Sequence, residues 1–358
     1  MRPVHPRPNP IVAAMYTLRD MEVDVIVVHG PSGCGFMASR MLEEAGVRVL
    51  TSGMTDNDLV FGGADTLVGT LKAVKERFGP RTVAIVGTCV SSVIGEDTDM
   101  CIKRADIGCN VFSVFSHGCM GDNTEGAIKA VEAGRNAGII SPEEAERQIT
   151  VMRAATALER ERGMAARQYL EPVRGPTKLN IAKRINKTLA SGGRIGVAMI
   201  AKKELAYRFA DIFLALKEAS DVLGGEVFTV ANLDKNKGLP RIRRYAEDIS
   251  SELESKGVVI DKVVGGLDEY ALIGEEVKTI LEASDPDLMI LCGIPHAYPN
   301  PPPEAILITD QPRQLANYLD QGYEAVGEIS SHSMVMGTRK IVPLETGDTI
   351  RDLLRDTG

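Results

Sequence analysis

Two glycine-containing loops in the first third of the chain each carry one cysteine shortly after an apolar, β-branched run. The first is His29-Gly-Pro-Ser-Gly-Cys-Gly35, and the second is Gly87-Thr-Cys-Val-Ser-Ser-Val-Ile-Gly-Glu-Asp97. Glycine lets the backbone approach a bulky inorganic group closely, and neighbouring amide N–H groups can hydrogen-bond its sulfides. Because thiolates are the usual ligands of such groups, Cys34 and Cys89 are predicted to hold an iron–sulfur cluster together.

The other four cysteines are weaker candidates for metal ligands. Cys119, in the segment Ser116-His-Gly-Cys-Met-Gly-Asp122, is the second choice as a ligand, because it too lies among glycines after an apolar run. Cys101, Cys109 and Cys292 are expected to pack in the core, where cysteine behaves as a small hydrophobe. Burial is also the more common state of any single cysteine in such a chain. The prediction of a cluster therefore depends on the pair of similar loops.

The first of these loops does not have the pattern of a nucleotide site. It lies between a predicted strand and a predicted helix, but it lacks the lysine of G-x-x-x-x-G-K-[ST] and the spacing of G-x-G-x-x-G. We therefore expect that this chain does not itself use ATP.

Both loops belong to an alternation of strand and helix patterns. Strands are predicted at 23–28, 47–50, 82–86 and 110–115, and helices at 36–45, 64–77, 93–105 and 124–137. This alternation predicts a parallel α/β sheet with helices on both faces and functional loops at the carboxyl ends of its strands. Cys34, Cys89 and Cys119 all lie at such ends.

A second α/β series follows a charged, alanine-rich helix that the prolines and glycine of 171–176 bring to an end. Its strands are predicted at 194–200, 226–230, 258–264, 287–291 and 305–309, and its helices at 203–220, 239–255, 270–283 and 312–321. We predict two or more parallel-sheet, Rossmann-like layers. The N-terminal cluster-binding domain would span 1–140, a helical linker 141–176, and the C-terminal α/β part 177–358.

Bulk properties exclude several classes of function. The 358 residues include 41 Lys and Arg against 49 Asp and Glu, and the net charge of −8 argues against a nucleic-acid binder that relies on counterion release. The chain has no tryptophan, so it offers few stacking platforms for single-stranded nucleic acid. No apolar run reaches the roughly 18 residues that cross a membrane. Six cysteines are too few for a dense disulfide framework, and a cytoplasmic protein with reduced thiols is expected.

Three segments, in this order, resemble the catalytic subunits of nitrogenase and of nitrogenase-like reductases. Residues 29–35 are similar to the family's first cluster loop, residues 55–63 to a segment near the face where its reductase docks, and residues 88–97 to its second cluster loop. The second half of the chain resembles the family only in its layer type. Given its short length, the chain is most similar to family members that reduce and cyclise Ni-sirohydrochlorin a,c-diamide in the nickel tetrapyrrole coenzyme biosynthesis of methanogens.

The resemblance implies a nitrogenase component 1-like fold with a [4Fe–4S] cluster. Family members usually supply a third cysteine before the first cluster loop, but residues 1–33 contain none. Since such a cluster normally takes four ligands, Cys34 and Cys89 from each of two identical chains would complete it across a homodimer. The resemblance also implies that a separate iron–sulfur ATPase delivers the electrons, with Phe61 between that partner and the cluster.

Several roles stay open at this level. His117 and His332 lie in loops rich in glycine or serine, where either could contact the tetrapyrrole or donate a proton, although a hydrogen-bonded loop histidine is the more common case. His29 is expected to orient its loop, and His296 to lie in a rigid surface turn. The segment with Phe61 could also be a simple loop. The alternative functions are a scaffold for metallocofactor assembly, a reductase of another tetrapyrrole, and a metal-free protein that binds a metabolite.

Overall fold

The computed structural model describes residues 9–162, 174–328 and 339–355. The chain divides into two compact units. The first extends to Thr156 and includes Leu239–Arg241, and the second takes the remainder from Ala157 onward. All strand pairs in the described ranges are parallel, and helices alternate with the strands, so the predicted α/β fold is confirmed. The predicted domain boundaries at 140 and 176 stay a prediction.

The first unit contains a four-stranded sheet with the order β2-β1-β3-β4. Its strands are β1 (Val25–His29), β2 (Arg48–Thr51), β3 (Thr82–Gly87) and β4 (Asn110–Val114). The helices are α1 (Pro10–Asp20), α2 (Phe36–Glu44), α3 (Asp56–Phe61), α4 (Ala64–Phe78), α5 (Cys89–Val93), α6 (Thr98–Ala105), α7 (Asn123–Asn136) and α8 (Pro142–Arg162). On α4, Leu67, Leu71 and Val74 recur at helical spacing and are buried in one cluster with residues of β1 and β3.

The second unit contains a six-stranded sheet with the order β10-β9-β8-β5-β6-β7. Its strands are β5 (Arg194–Ile200), β6 (Glu226–Ala231), β7 (Lys262–Val263), β8 (Leu288–Gly293), β9 (Ile306–Thr309) and β10 (Glu324–Gly327). The helices are α9 (Pro176–Ala190), α10 (Ala206–Leu223), α11 (Pro240–Ser255), α12 (Gly274–Ala283), α13 (Pro312–Asp320) and α14 (Glu345–Arg355). Strand β8 is buried along its whole length, as a central parallel strand covered on both faces should be.

The strand order creates a topological switch point in each sheet. In the first sheet, the chain leaves β1 toward β2 on one side and leaves β3 toward β4 on the other. In the second sheet, it leaves β5 toward β6 and β8 toward β9, again in opposite directions. Ligands of open parallel sheets bind in the crevice that these diverging loops leave at the carboxyl ends of the strands. Each unit therefore has one crevice whose position follows from topology alone.

The structure differs from the expectation at some elements. The helix predicted at 93–105 is two helices, α5 and α6, and the segment around Phe61 ends a short helix. The strand predicted at 258–264 is reduced to two residues of β7, while α1 and β10 were not predicted. None of the helices in the described ranges combines the length and the apolar character that a membrane crossing requires.

Candidate metal centre

The switch point of the first sheet holds both predicted cluster loops. His29 at the end of β1 pairs in register with Gly87 at the end of β3. Beyond them, Cys34 ends a short 3₁₀ turn that leads into α2, and Cys89 is the first residue of α5. Cys119 follows β4, the next strand along the sheet. All three thiols thus belong to loops at the carboxyl edge, as the sequence predicted.

Glycine makes the close packing of the two loops possible. A Cβ atom at Gly30 would lie 2.4 Å from Thr88 Oγ1, a separation that real side chains do not adopt. The Thr88 hydroxyl instead donates a hydrogen bond of 2.9 Å to the carbonyl oxygen of His29. The Thr88 side chain also caps α5, where its oxygen accepts from the Ser91 amide. One threonine therefore fixes the loop before Cys34 against the turn that presents Cys89.

Cys34 lies within electrostatic range of Cys89. Both residues are half-buried. Burial raises the pKa of the Cys34 thiol, and negative charge on Cys89 raises it further. Two thiolates that repel each other are stabilised together by a cation, and bound iron would provide that charge.

Cys119, the second-choice ligand, lies beside Cys89. The Gly118 amide donates a hydrogen bond of 3.1 Å to Cys89 Sγ. A hydrogen bond with Cys89 and the charge of Cys89 both raise the pKa of the exposed Cys119 thiol. The structure thus brings the rival residue to the same edge, and it adds an amide donor of the kind that stabilises sulfur ligands.

The donor set fits an iron–sulfur cluster in its chemistry but not in its number. Thiolate ligands with amide donors nearby are what such a cluster uses. Within the ranges that the structure describes, however, no three or more His, Cys, Asp or Glu side chains are arranged to hold a metal ion. The described residues of one chain therefore offer fewer than the four ligands that a [4Fe–4S] cluster normally takes.

A buried histidine, His29, joins the start of the first cysteine loop to two other segments of the first unit. His29 is fully buried, and its Nδ1 lies 3.0 Å from Ser52 Oγ at the end of β2. Its Nε2 faces Glu96 Oε2 at 3.6 Å, and that oxygen accepts a hydrogen bond of 2.7 Å from the Gly63 amide. Burial lowers the pKa of His29, although Glu96 opposes this shift. The contact with Ser52 gives His29 the role in its loop that was predicted for it.

The Thr55 to Gly63 segment is ordered by its own capping box. Thr55 donates through its amide to Asp58 Oδ2 at 2.7 Å, and the Thr66 hydroxyl donates to the other oxygen of Asp58. The resulting helix, α3, leaves Phe61 86% exposed at its end.

Other large apolar side chains are exposed close in sequence to the cysteines. They are Phe36, which follows Cys34 by two residues, Val93 at the end of α5, and Phe115 just after β4, at 74%, 85% and 64% exposure. Exposed apolar groups gathered around one edge of a sheet are typical of a surface that another protein covers.

The remaining predicted residues have mixed outcomes. His117 is half-buried in the loop after β4, with its ring edge-on to Phe115 at 6.1 Å. His332 lies outside the described residues. Cys101 and Cys292 are buried, as expected for core packing, and Cys109 is half-buried.

Sequence reasoning missed Glu96 and Gly118. Glu96 lies inside the second cluster loop, but nothing in its local pattern shows that its carboxylate reaches a residue 33 positions earlier. Gly118 was visible only as one of several glycines near Cys119. The available signal was the Gly-Glu-Asp run after Cys89, since an acidic residue near a helix start often accepts amide hydrogen bonds.

Comparison with known proteins gives matches over nearly the whole chain. A sequence profile of the Nitrogenase component 1 type Oxidoreductase family matches residues 10–169. The chain is 44% identical over 353 residues to the Ni-sirohydrochlorin a,c-diamide reductive cyclase complex, component CfbD, of Methanothermobacter thermautotrophicus, covering 97% of this chain and 98% of that protein. The proteins of the same description from Methanosarcina acetivorans and Methanocaldococcus jannaschii are 41% and 39% identical, and the matches cover 99% and 97% of this chain and 98% of each relative.

Proposed function

Because this chain belongs to the CfbD family of nitrogenase component 1 type oxidoreductases, we propose that it is the catalytic subunit of a nitrogenase-like reductive cyclase acting on Ni-sirohydrochlorin a,c-diamide. The strongest support is similarity along 97 to 99% of the chain to proteins of that description. The paired thiol loops at the switch point of the first sheet agree with a redox role.

Cys34 and Cys89 hold a [4Fe–4S] cluster in this proposal. The support is their position beyond adjacent strand ends, the electrostatic effect of Cys89 on the Cys34 thiol, and the Gly118 amide directed at Cys89. Such a cluster, when bound, accepts and releases one electron at a time. Since the described chain supplies only part of the ligand set, a homodimer completes it with the same two thiols of the partner, and Cys119 remains the second choice.

Electrons come from a separate ATP-hydrolysing iron–sulfur protein. This chain has no loop of the G-x-x-x-x-G-K-[ST] type, so ATP is used by that partner. The exposed Phe61 lies on a helix that Asp58 holds in place, which makes it suitable as a rigid aromatic contact for the docked partner. The reducing conditions that such thiols and clusters require place the reaction in the cytoplasm.

The protein groups position the substrate and move protons. Reduction of the macrocycle takes up electrons and protons. Closure of the lactam ring forms a bond from the acetamide nitrogen to a carbon of the macrocycle, and the N–H bond that breaks gives its proton to a base or to the macrocycle. The cluster can supply electrons but no protons, so side chains or water must deliver the latter. His117 is our candidate for substrate contact, because it is half-buried in the loop that carries Cys119. His332 is a second candidate on sequence grounds.

An anaerobic turnover assay tests the proposal. The purified protein is combined with an iron–sulfur ATPase partner, ATP and Ni-sirohydrochlorin a,c-diamide, and the absorption spectrum of the tetrapyrrole is followed. We expect an ATP-dependent spectral change that requires both proteins. An iron-loaded protein without turnover would favour the metallocofactor scaffold, and an iron-free protein would reject the cluster.

A further inference from the structure

The switch point of the second sheet is built like that of the first, but it carries lysines instead of thiols. The loop after β5 begins Ala201-Lys-Lys203, and the loop after β8 contains His296. Ile200 and Gly293, the last residues of these strands, pair in register, so both loops start side by side and then diverge. Such a crevice is the general ligand position of an open parallel sheet.

The backbone around Lys202 is held rigidly in place. The fully buried Asn232 accepts a hydrogen bond from the Ala201 amide at 3.0 Å and donates to the Ala201 carbonyl at 2.6 Å. Its amide also donates to the Gly266 carbonyl at 3.1 Å, which links the loop after β7 to the same point. Lys203 has a φ of +42°, a conformation that costs free energy for a non-glycine residue and occurs often at binding sites.

The loop after β8 is equally constrained. Gly293 has a φ of +96°, and a Cβ atom there would lie 2.3 Å from the Ile200 carbonyl oxygen. The Ile294 amide donates to that same oxygen at 2.7 Å. His296 is half-buried, with Nδ1 3.4 Å from the Tyr318 hydroxyl and its ring 6.1 Å from that of Tyr270. His296 lies in a short 3₁₀ turn, Pro295–Ala297, in agreement with the turn that was expected, and this turn sets its ring among aromatic side chains.

Lys202, on the loop after β5, carries a positive charge that the contacts within the described ranges do not balance. It is half-buried, and its ammonium group has no ion pair or hydrogen bond with any residue in the described ranges. The neighbouring Lys203 is already paired, since its ammonium lies 2.7 Å from Glu269. On the next loop, Asp234 faces Lys237 at 3.5 Å. Glu269 and Asp234 are therefore matched by other lysines. The buried carboxylates of Glu204, Asp268 and Asp310 at the same edge have interactions of their own. Lys202 is left with a charge that an anionic ligand can satisfy.

We propose that Lys202 binds a carboxylate side chain of the tetrapyrrole substrate at the carboxyl edge of the second sheet. This inference rests on the proposed function and names the group by which the substrate is held. The substrate keeps acetate and propionate carboxylates beyond the two that are amidated, and these are its natural handles. A lysine on a rigid loop holds such a group with little loss of conformational freedom. The aromatic rings around His296 provide an apolar neighbour for the macrocycle.

Equilibrium binding of Ni-sirohydrochlorin a,c-diamide, followed by its absorption spectrum without ATP or partner, tests this assignment. Lys202→Met keeps the apolar stem and removes the charge, so we expect the affinity to fall by a factor of roughly ten or more. Lys202→Arg should restore most of the affinity. Lys183→Met, an exposed lysine of α9, is the matched control and should bind as the wild type does. Equal iron content and equal thermal unfolding show that each variant is folded.

A tetrapyrrole without negative charge on its side chains distinguishes loss of charge recognition from other causes of weaker binding. The same tetrapyrrole with its carboxylates methyl-esterified should bind the wild type more weakly, and Lys202→Met should cause no further loss. If Lys202→Met and the wild type bind the free acid equally well, the inference is overturned while the proposed function stands. If the wild type binds neither form, the proposed substrate is wrong and the inference falls with it.

Discussion

The Glu96 carboxylate accepts a hydrogen bond from the Gly63 amide at 2.7 Å while the same oxygen faces His29 at 3.6 Å. Glu96 lies in the loop of Cys89, His29 begins the loop of Cys34, and Gly63 lies two residues beyond the helix that ends at Phe61. One buried carboxylate therefore joins both cysteine loops to the segment that exposes the aromatic ring. Movement of α3 on docking of a partner would act on the thiol loops through this contact.

Removal of that carboxylate should destabilise the first unit. Glu96→Ala leaves the Gly63 amide without its acceptor and the buried His29 without the carboxylate that faces it, so we expect the free energy of unfolding to fall by about 1–3 kcal/mol. Glu96→Gln retains a side-chain oxygen for Gly63 and should lose less. Chemical denaturation of the three proteins measures the difference. Equal stability of the alanine variant and the wild type would mean that water replaces the carboxylate at no cost.

Truncation of Phe61 should uncouple the partner while the cluster stays intact. Since the ring is 86% exposed, its loss leaves no cavity in the fold. For an aromatic contact at the centre of an interface, Phe61→Ala should weaken docking by about 2 kcal/mol, or roughly thirtyfold in affinity. ATP-dependent electron transfer at varied partner concentration measures this. Leu319→Ala removes another exposed apolar side chain, 51% exposed on α13, and should have no effect. Loss of the cluster spectrum in Phe61→Ala would contradict the docking role.

Single replacement of the cysteines should separate ligands from neighbours. Because the proposed cluster is shared by two identical chains, Cys34→Ala and Cys89→Ala each remove two of its ligands, one from each chain. We therefore expect nearly complete loss of iron and of the iron–sulfur absorption. Cys119→Ala should keep both, and the half-buried Cys109 provides the control. Iron loss in Cys119→Ala would move that residue into the ligand set.

The same protein preparation tests the homodimer. A cluster shared between two chains requires a sedimenting dimer with one cluster for every two chains, and the dimer should weaken when iron is removed. A stable monomer that holds a complete cluster would reject the shared site. Half the ligands would then have to come from elsewhere in the same chain.

The sequence predicted the elements whose patterns are local. The strands that precede Cys34 and Cys89 are runs of β-branched residues between glycine-rich loops, and these patterns do not depend on the rest of the fold. Helix α1 was not among the predicted helices. Its signal was present: Asn9 caps the helix by accepting from the Val12 amide, and Pro10 occupies the first turn.

Contacts between distant segments could not be predicted in this way. The bond from Gly63 to Glu96 spans 33 residues, and the clamp of Asn232 on Ala201 spans 31. Each requires the sheet order before its partners can be matched. Strand β10 was missed for a related reason: its four residues, Glu324–Gly327, are recognisable as a strand only beside β9. The strand order of the structure was therefore needed to find these long-range contacts and the second switch point.

A buried carboxylate in the second unit should make stability depend on pH. Glu328 follows β10, is fully buried, and accepts a hydrogen bond of 3.1 Å from the Thr346 amide at the start of α14. Its carboxylate lies 3.3 Å from the Lys178 ammonium. Burial, followed by a hydrogen bond with Glu345, raises the pKa of Glu328 to about 7. Burial would raise the pKa of Glu345 too, but its hydrogen bond with Glu328 lowers it, so Glu345 titrates below this range.

A carboxyl group with a raised pKa stabilises the fold only while it is protonated. Between the unfolded pKa of 4.5 and the folded pKa of about 7, the folded protein binds the proton that the unfolded chain has lost. The free energy of unfolding should therefore fall as pH rises from 5 to 8, by up to about 3 kcal/mol from this group.

Glu328→Gln keeps the volume and the acceptor for Thr346 but cannot titrate, so its stability should vary less with pH. Denaturation of wild type and variant at several pH values measures the difference, and Glu276→Gln on the exposed face of α12 is the control. Parallel pH profiles for the wild type and Glu328→Gln would show that Glu328 is ionised throughout, with Lys178 as a sufficient counter-charge.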